Sequence, residues 1–405
     1  MARRSLSHLV LRALWTAAAI LVLAAGLAGA ARGAGKVGSH HRAELSDARV
    51  VGRFNRCLSA RARRIRPAAV RRRCGSRQAA ESRTPQPLYW GATIGDHVTG
   101  EQAPWDMSAL AKFESEAGRS ASLLQFFQPF ADCESECSFY PFPTTPMEDV
   151  RQHGSIPVLS WSSQAIPSSV EEPDFQLSDV AEGRYDDFIR EFAEEARNWG
   201  HPFFLRFDWE MNGNWFPWSE GVNGNSSGQF VAAWRHVHDI FTAVGATNVS
   251  WVWCPFVDPG GSLTALSSLY PGDEYVDWTG LDGYNWGTNP ASPRGWRSFD
   301  QLFATTYEEI TAEVAPSKPL MIGEMGSSEQ GGDKAAWIRE ALSRVPAEYP
   351  QIRALLWFDK FDDSMDWPIE TSATATSAFA EGIGQPAYVG ADYAHLQASP
   401  IAPPS

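Results

Sequence analysis

From Leu88 onward, short apolar runs alternate with longer amphipathic stretches. The runs are LYWGATI (88–94), SLLQFFQ (122–128), IPVLSW (156–161), PFFLRFDWE (202–210), VSWVWCP (249–255), VDWTGLDGY (276–284), PLMIGEM (319–325) and RALLWFDK (353–360). Their brevity and their load of aromatic and branched residues predict strands. Between them, residues 184–199 repeat Tyr185, Phe188, Phe192, Ala193 and Ala196 at helical spacing. Residues 228–245 do the same through Phe230, Ala233, Trp234, Val237 and Phe241, with Ser226 or Ser227 placed to cap the start. Eight strand-then-helix units over about 300 residues predict an α/β fold, a (β/α)8 TIM barrel, rather than an open sheet.

A barrel assembles its active site at the C-terminal ends of its strands. Two of the eight runs end in a glutamate there. Glu210, in LRFDWEMNGNWFPW, closes the fourth run, and Glu324, in LMIGEMG, closes the seventh. Two carboxylates facing each other over a bound sugar are what acid/base and nucleophilic cleavage of a glycosidic bond requires. The bland alternative is that each glutamate pairs with a buried arginine.

Strand alternation places Arg206, Asp208 and Glu210 on one face. There Arg206 either orients the attacking carboxylate, which favours Glu324 as nucleophile, or pairs with Asp208. Tyr284, at the end of the sixth run, is placed to donate to the same carboxylate or simply to pack. The chain holds 17 tryptophans. Those expected near strand ends, Trp161, Trp215, Trp218, Trp286 and Trp357, are candidates for stacking on sugar rings, with core packing as the alternative. Trp209 and Phe216 are candidate apolar walls around Glu210, and Trp209, Arg206 and Tyr284 are also candidate substrate contacts. Asn212 and Asn285 are candidate hydrogen-bond partners for sugar hydroxyls, and Asn212-Gly213 equally fits a turn.

These motifs together resemble glycoside hydrolase family 26. That family consists of retaining barrel enzymes with catalytic glutamates on strands four and seven, and the similarity runs from about residue 86 to 385. Its strand-four motif places an arginine four positions before the acid/base glutamate, then Asn-Gly, Trp and a further aromatic; Arg206, Glu210, Asn212, Gly213, Trp215 and Trp218 fall on it. The resemblance implies Glu210 as acid/base, Glu324 as nucleophile and Tyr284 as its partner. It implies a polysaccharide substrate, with β-1,4-mannan or glucomannan first and mixed-linkage β-glucan or β-xylan as alternatives. One position departs from the mannan-cleaving members: the residue before the acid/base is histidine there and Trp209 here. A barrel that binds carbohydrate without turnover is the rival reading.

Charge divides the chain. Residues 1–85 hold 18 Lys or Arg against 3 Asp or Glu, a net +15 within a total of −14, which leaves −29 for residues 86–405. So acidic a main part disfavours nucleic acid as a partner. Residues 1–30 read as a signal peptide or membrane anchor: Arg3, Arg4 and Arg12 flank an apolar run, Ala13 to Leu27, which ends in Ala28-Gly29-Ala30. A secreted or cell-surface protein is expected. Residues 31–85 read as a basic, disordered linker able to touch a cell wall or a membrane surface. Residues 86–385 are the expected catalytic barrel, acting as a monomer, and 386–405 a C-terminal tail. Of the five cysteines, Cys133 with Cys137 and Cys57 with Cys74 are spaced to form disulfides, leaving Cys254 buried and unpaired. No cysteine–histidine spacing resembles a zinc site, so neither a metal nor a cofactor is expected.

Overall fold

The computed structural model describes residues 85–405 except 290–294, 363–364 and 397. The expected signal segment, the basic linker up to residue 84, and Cys57 and Cys74 lie outside the described residues. All eight expected strands are present: β1 Leu88–Ile94, β2 Leu123–Asp132, β3 Ile156–Ile166, β4 Phe203–Phe207, β5 Val249–Trp253, β6 Trp278–Asn285, β7 Leu320–Ser327 and β8 Ile352–Asp359. Each pairs in parallel with its neighbour, and β1 pairs with both β2 and β8, so the sheet closes into a barrel. Parallel strands need crossover connections, and helices supply them. These are α1 Met107–Ala117, α2 Thr144–His153, α3 Asp186–Trp199, α4 Gln229–Val244, α5 Phe299–Glu309, α6 Lys334–Glu348 and α7 Ala373–Ile383, with a single turn, Leu266–Leu269, after β5.

The helices bury the faces that their apolar spacing marks. On α3 these are Ile189, Phe192, Ala193 and Ala196; on α4 they are Phe230, Ala233, Trp234, Val237, Ile240 and Phe241. Neither Ser226 nor Ser227 caps α4. Gly228 takes the N-cap position with φ 88°, and the Gln229 side chain instead accepts from the Ser226 backbone N–H at 2.6 Å. Cys133 and Cys137 form a disulfide, and Cys254 is buried and unbridged.

The segment after residue 385 is not a loose tail. Tyr388 and Val389 pair in parallel with the start of β1. Farther on, Ile401 is buried: its N–H donates to Ser250 Oγ at 2.8 Å, and Trp278 Nε1 donates to its carbonyl at 2.8 Å. Tyr89 donates to the Ala402 carbonyl at 3.1 Å, and Arg353 donates to that of Pro404. Tyr89, Ser250, Trp278 and Arg353 all stand at strand beginnings, so this segment covers the base of the barrel, opposite the mouth. The sequence alone conceals this, because Ala, Pro and Ser carry little periodic signal.

Candidate active site

β4 ends at Phe207, three residues before Glu210. Asp208 and Glu210 then take left-handed backbone conformations, with φ 41° and 55°. Non-glycine residues rarely adopt these, and they persist only where surrounding contacts impose them. The contacts are visible. Asp208 N–H donates to the Trp161 carbonyl at 3.0 Å, and Glu210 N–H donates to the Cys254 carbonyl at 2.7 Å. The Asp208 carboxylate is buried and accepts from the Ser163 N–H and hydroxyl, both at 2.7 Å. The expected common face of Arg206, Asp208 and Glu210 is therefore corrected: strand alternation stops at residue 207, and Asp208 serves β3 rather than Arg206.

Arg206 itself points inward and is wholly buried. It donates to Glu324 on β7 and, at 2.6 Å, to Asp282 on β6. Its Nε donates to Ser160 Oγ at 3.0 Å, and its guanidinium lies 4.9 Å from the centre of the Trp209 ring. Burial works against its charge, while Asp282 and Glu324 more than restore it and raise its pKa above the ordinary value. Such proximity needs a residue without a side chain at 323. A Cβ on Gly323 would stand 2.6 Å from Asp282 Oδ1 and 2.9 Å from an Arg206 nitrogen.

Glu324 accepts from Arg206 on one oxygen and from the Tyr284 hydroxyl on the other. Glu210 has different company. Trp215 Nε1 donates to its Oε2 at 2.6 Å, and the carboxyl is otherwise enclosed. Burial pushes its pKa well above the usual carboxylate value, Asp282 and Glu324 push it further, and the Trp215 and Arg206 contacts oppose the rise. One oxygen from each of Glu210, Asp282 and Glu324 lies within 4.8 Å of the others. Two carboxylates this close, one with raised proton affinity and one accepting two donors, can divide proton donation from nucleophilic attack.

Asp282 escaped the sequence reading because it sits inside an apolar run. It is wholly buried, accepts from Arg206 and from the Cys254 thiol at 3.1 Å, and is pushed up to about 8 by burial, with Arg206 opposing. The sequence signal was an aspartate two residues before Tyr284, on the same strand face.

Several expected sugar contacts are corrected. Trp161 is wholly buried and stacks on Phe192 at 4.2 Å, because β3 runs on to Ile166 and leaves it mid-strand, facing the helices. Trp357 likewise packs towards Trp337 and Phe379 on α6 and α7. Trp218 is buried, stacks on Phe216 at 4.3 Å and donates to the Trp209 carbonyl at 2.7 Å. Trp209 is 3% exposed and covers Arg206. Asn212 uses both ends of its amide on the Phe256 backbone, at 2.8 Å each, and Asn285 bonds Ser327 Oγ and the Arg297 N–H. Trp215 and Trp286 remain half-buried beside the carboxylates: Trp215 on Glu210, and Trp286 edge-on to Tyr284 with ring centres 6.1 Å apart.

A closed parallel barrel with a buried arginine and paired glutamates at its mouth defines the class, a (β/α)8 protein with a carboxylate-pair site. Residues 152–337 match the sequence model described as Glycosyl hydrolase family 26. The chain belongs to that family. Endoglucanase H of Acetivibrio thermocellus is 36% identical over 281 residues, which are 68% of this chain and 29% of that protein. A mannan endo-1,4-beta-mannosidase of Bacillus subtilis is 28% identical over 201 residues, 48% of this chain and 47% of that protein. The chain thus spans less than half the length of either relative. The modular endo-beta-1,4-mannanase of Cellulomonas fimi superposes with a TM-score of 0.57 at 17% identity, covering 78% of this chain and 75% of that structure. The Bacillus subtilis mannanase BCman gives 0.53 at 18%, covering 80% and 91%. At such identities these two bear on the fold alone.

Proposed function

We propose that the chain is an exported, endo-acting β-glycoside hydrolase that works by double displacement with retention. Glu210, carrying a proton, protonates the leaving oxygen as Glu324 attacks the anomeric carbon and forms a covalent glycosyl ester. Glu210, now ionised, takes a proton from water, whose oxygen attacks the same carbon and releases Glu324. The observation that carries this reading is the approach of Glu210 and Glu324 oxygens to within 4.8 Å. Retaining pairs stand about 5–5.5 Å apart, whereas inverting pairs need about 6.5–9.5 Å to admit a water.

For the substrate, a β-linked glucan comes before mannan. The endoglucanase relative is 36% identical against 28% for the mannanase, and Trp209 stands where mannan-cleaving members carry histidine. Mannan is the second reading, supported by the mannosidase relatives. The apolar run at 13–27 and the Cys133–Cys137 disulfide support export, and the basic residues before 85 suit contact with an anionic surface.

The test is digestion of mixed-linkage β-glucan, mannan, glucomannan and β-xylan, with the anomer of the first product read by NMR. Oligosaccharides released with a β reducing end support the reading. An initial α product would overturn retention, and binding of a polymer without products would leave a carbohydrate-binding barrel.

A further inference from the structure

A second cluster stands where the first and last strands meet. His97 lies in the loop after β1, Asp359 ends β8, and Glu370 lies in the short turn Ile369–Thr371. His97 Nε2 is 3.5 Å from Asp359 Oδ2 and 3.5 Å from Glu370 Oε2. One ligand-type atom from each residue falls within 4.8 Å of the other two.

At 3.5 Å each approach is an ion-pair distance for a protonated His97, longer than the about 2.7–3.2 Å of a direct N–H···O bond. Both ring nitrogens of His97, Oδ2 of Asp359 and both carboxylate oxygens of Glu370 are buried with no hydrogen-bond partner. Asp359 is wholly buried. Its Oδ1 accepts from the Ile369 N–H at 2.8 Å, which fixes the carboxylate and leaves Oδ2 aimed at His97. Buried polar atoms without a hydrogen-bond partner are rare and costly. Three of the five, His97 Nε2, Asp359 Oδ2 and Glu370 Oε2, converge on one point and ask for something to satisfy them.

We propose that His97, Asp359 and Glu370 bind a divalent cation of the zinc class. Zinc holds histidine nitrogen at about 2.0–2.1 Å and carboxylate oxygen at about 2.0–2.2 Å, so tetrahedral ligands stand about 3.4 Å apart. The two 3.5 Å separations match that span. Calcium and magnesium, which take six or more oxygen ligands, fit one imidazole and two carboxylates poorly. The side chains of His97 and Glu370 are 16% and 22% exposed, so a fourth position can open to water. The ion ties the β1 loop to the end of β8 and to the segment carrying Glu370, and it plays no part in the carboxylate-pair chemistry. The three ligands come from distant segments, which is why no spacing along the chain suggested a metal.

The full chain without a histidine tag, stripped with chelator and desalted, is titrated with Zn2+ and, for its absorption spectrum, with Co2+. The expected result is one retained Zn2+ per chain by mass spectrometry, a visible Co2+ band and a raised Tm. His97→Ala and Glu370→Gln are expected to lose the ion, the band and the Tm rise together, and the metal-free Glu370→Gln chain melts close to metal-free wild type. Wild-type chain that retains no Zn2+ and shows no Tm rise overturns the proposal, leaving a protonated His97 bridging two carboxylates. Undiminished binding by both variants overturns it as well. None of these readings depends on glycoside cleavage, so the outcome stands apart from that of the digestion assay.

Discussion

Arg206 on β4 donates to Glu324 on β7, 118 positions further along the chain, and both the bond and the guanidinium are buried. The same cation holds Asp282, so three charged groups from three strands share one small volume. Removing one partner of a buried charge set is far costlier than its net contribution, because the others are left without compensation.

Arg206→Met is therefore expected to destabilise the fold by about 3–5 kcal/mol. Adding Asp282→Asn to it should recover part of that loss. Urea denaturation of the two single variants and the double variant measures the coupling, and strict additivity would exclude it.

Glu324→Ala is expected to abolish turnover while the fold remains. Glu210→Ala should lower kcat on polysaccharide by about 10²–10⁴-fold. On an aryl glycoside whose leaving group needs no proton, it should keep the first step, and added azide should then yield a glycosyl azide of retained configuration. Near wild-type kcat in either variant would remove the carboxylate from the mechanism.

Trp215→Phe removes a hydrogen bond that favours the ionised form of Glu210. Its loss raises the pKa of Glu210 still further. Because Glu210 must be protonated to donate, the alkaline limb of the kcat/KM profile is expected to move to higher pH. A shift to lower pH would contradict the assignment of proton donor.

Trp161→Ala empties a site between β3, α3 and α4. A loss of about 3–5 kcal/mol is expected, with KM unchanged in the molecules that remain folded. Trp286→Ala, half-buried beside Tyr284, is expected to do the reverse, raising KM with a small change in Tm. Thermal melts and initial rates on the same preparations separate the two roles.

Lys334 donates to the carbonyls of Asp366, Trp367 and Pro368 at 2.6, 3.2 and 2.8 Å, and it is nearly inaccessible. Lys334→Met strands these acceptors, each costing about 1–3 kcal/mol when buried. The expected result is a clear fall in Tm, with faster hydrogen exchange across residues 366–371.

All eight strands were legible because apolar runs of strand length, separated by helical periodicity, have few other readings. Strand ends were less so: β3 outlasts its apolar run by five residues, through Ser162, Ser163 and Gln164 to Ile166. That error carried Trp161 into the candidate sugar contacts. Glu210, Glu324, Arg206 and Tyr284 could be singled out because the chemistry names them and the strand ends locate them, and the structure brings them together. Asp282 and the His97 cluster were missed because each depends on which strands become neighbours, a property of the closed ring rather than of any stretch of chain. Periodicity also says that a tryptophan is buried without saying whether it faces the helices or the mouth.

The segment through Ile401 and Pro404, seated under β1, β5, β6 and β8, has a consequence for how the molecule forms. The seam between β1 and β8 cannot close before Asp359 is made, and the cover over the base cannot form before residues 401–404 are made. Nascent barrel strands must wait with an open edge, and contacts of such long range are slow to form. Synthesis that stalls before residue 400 is expected to leave a species in need of a chaperone rather than a slightly shortened native fold.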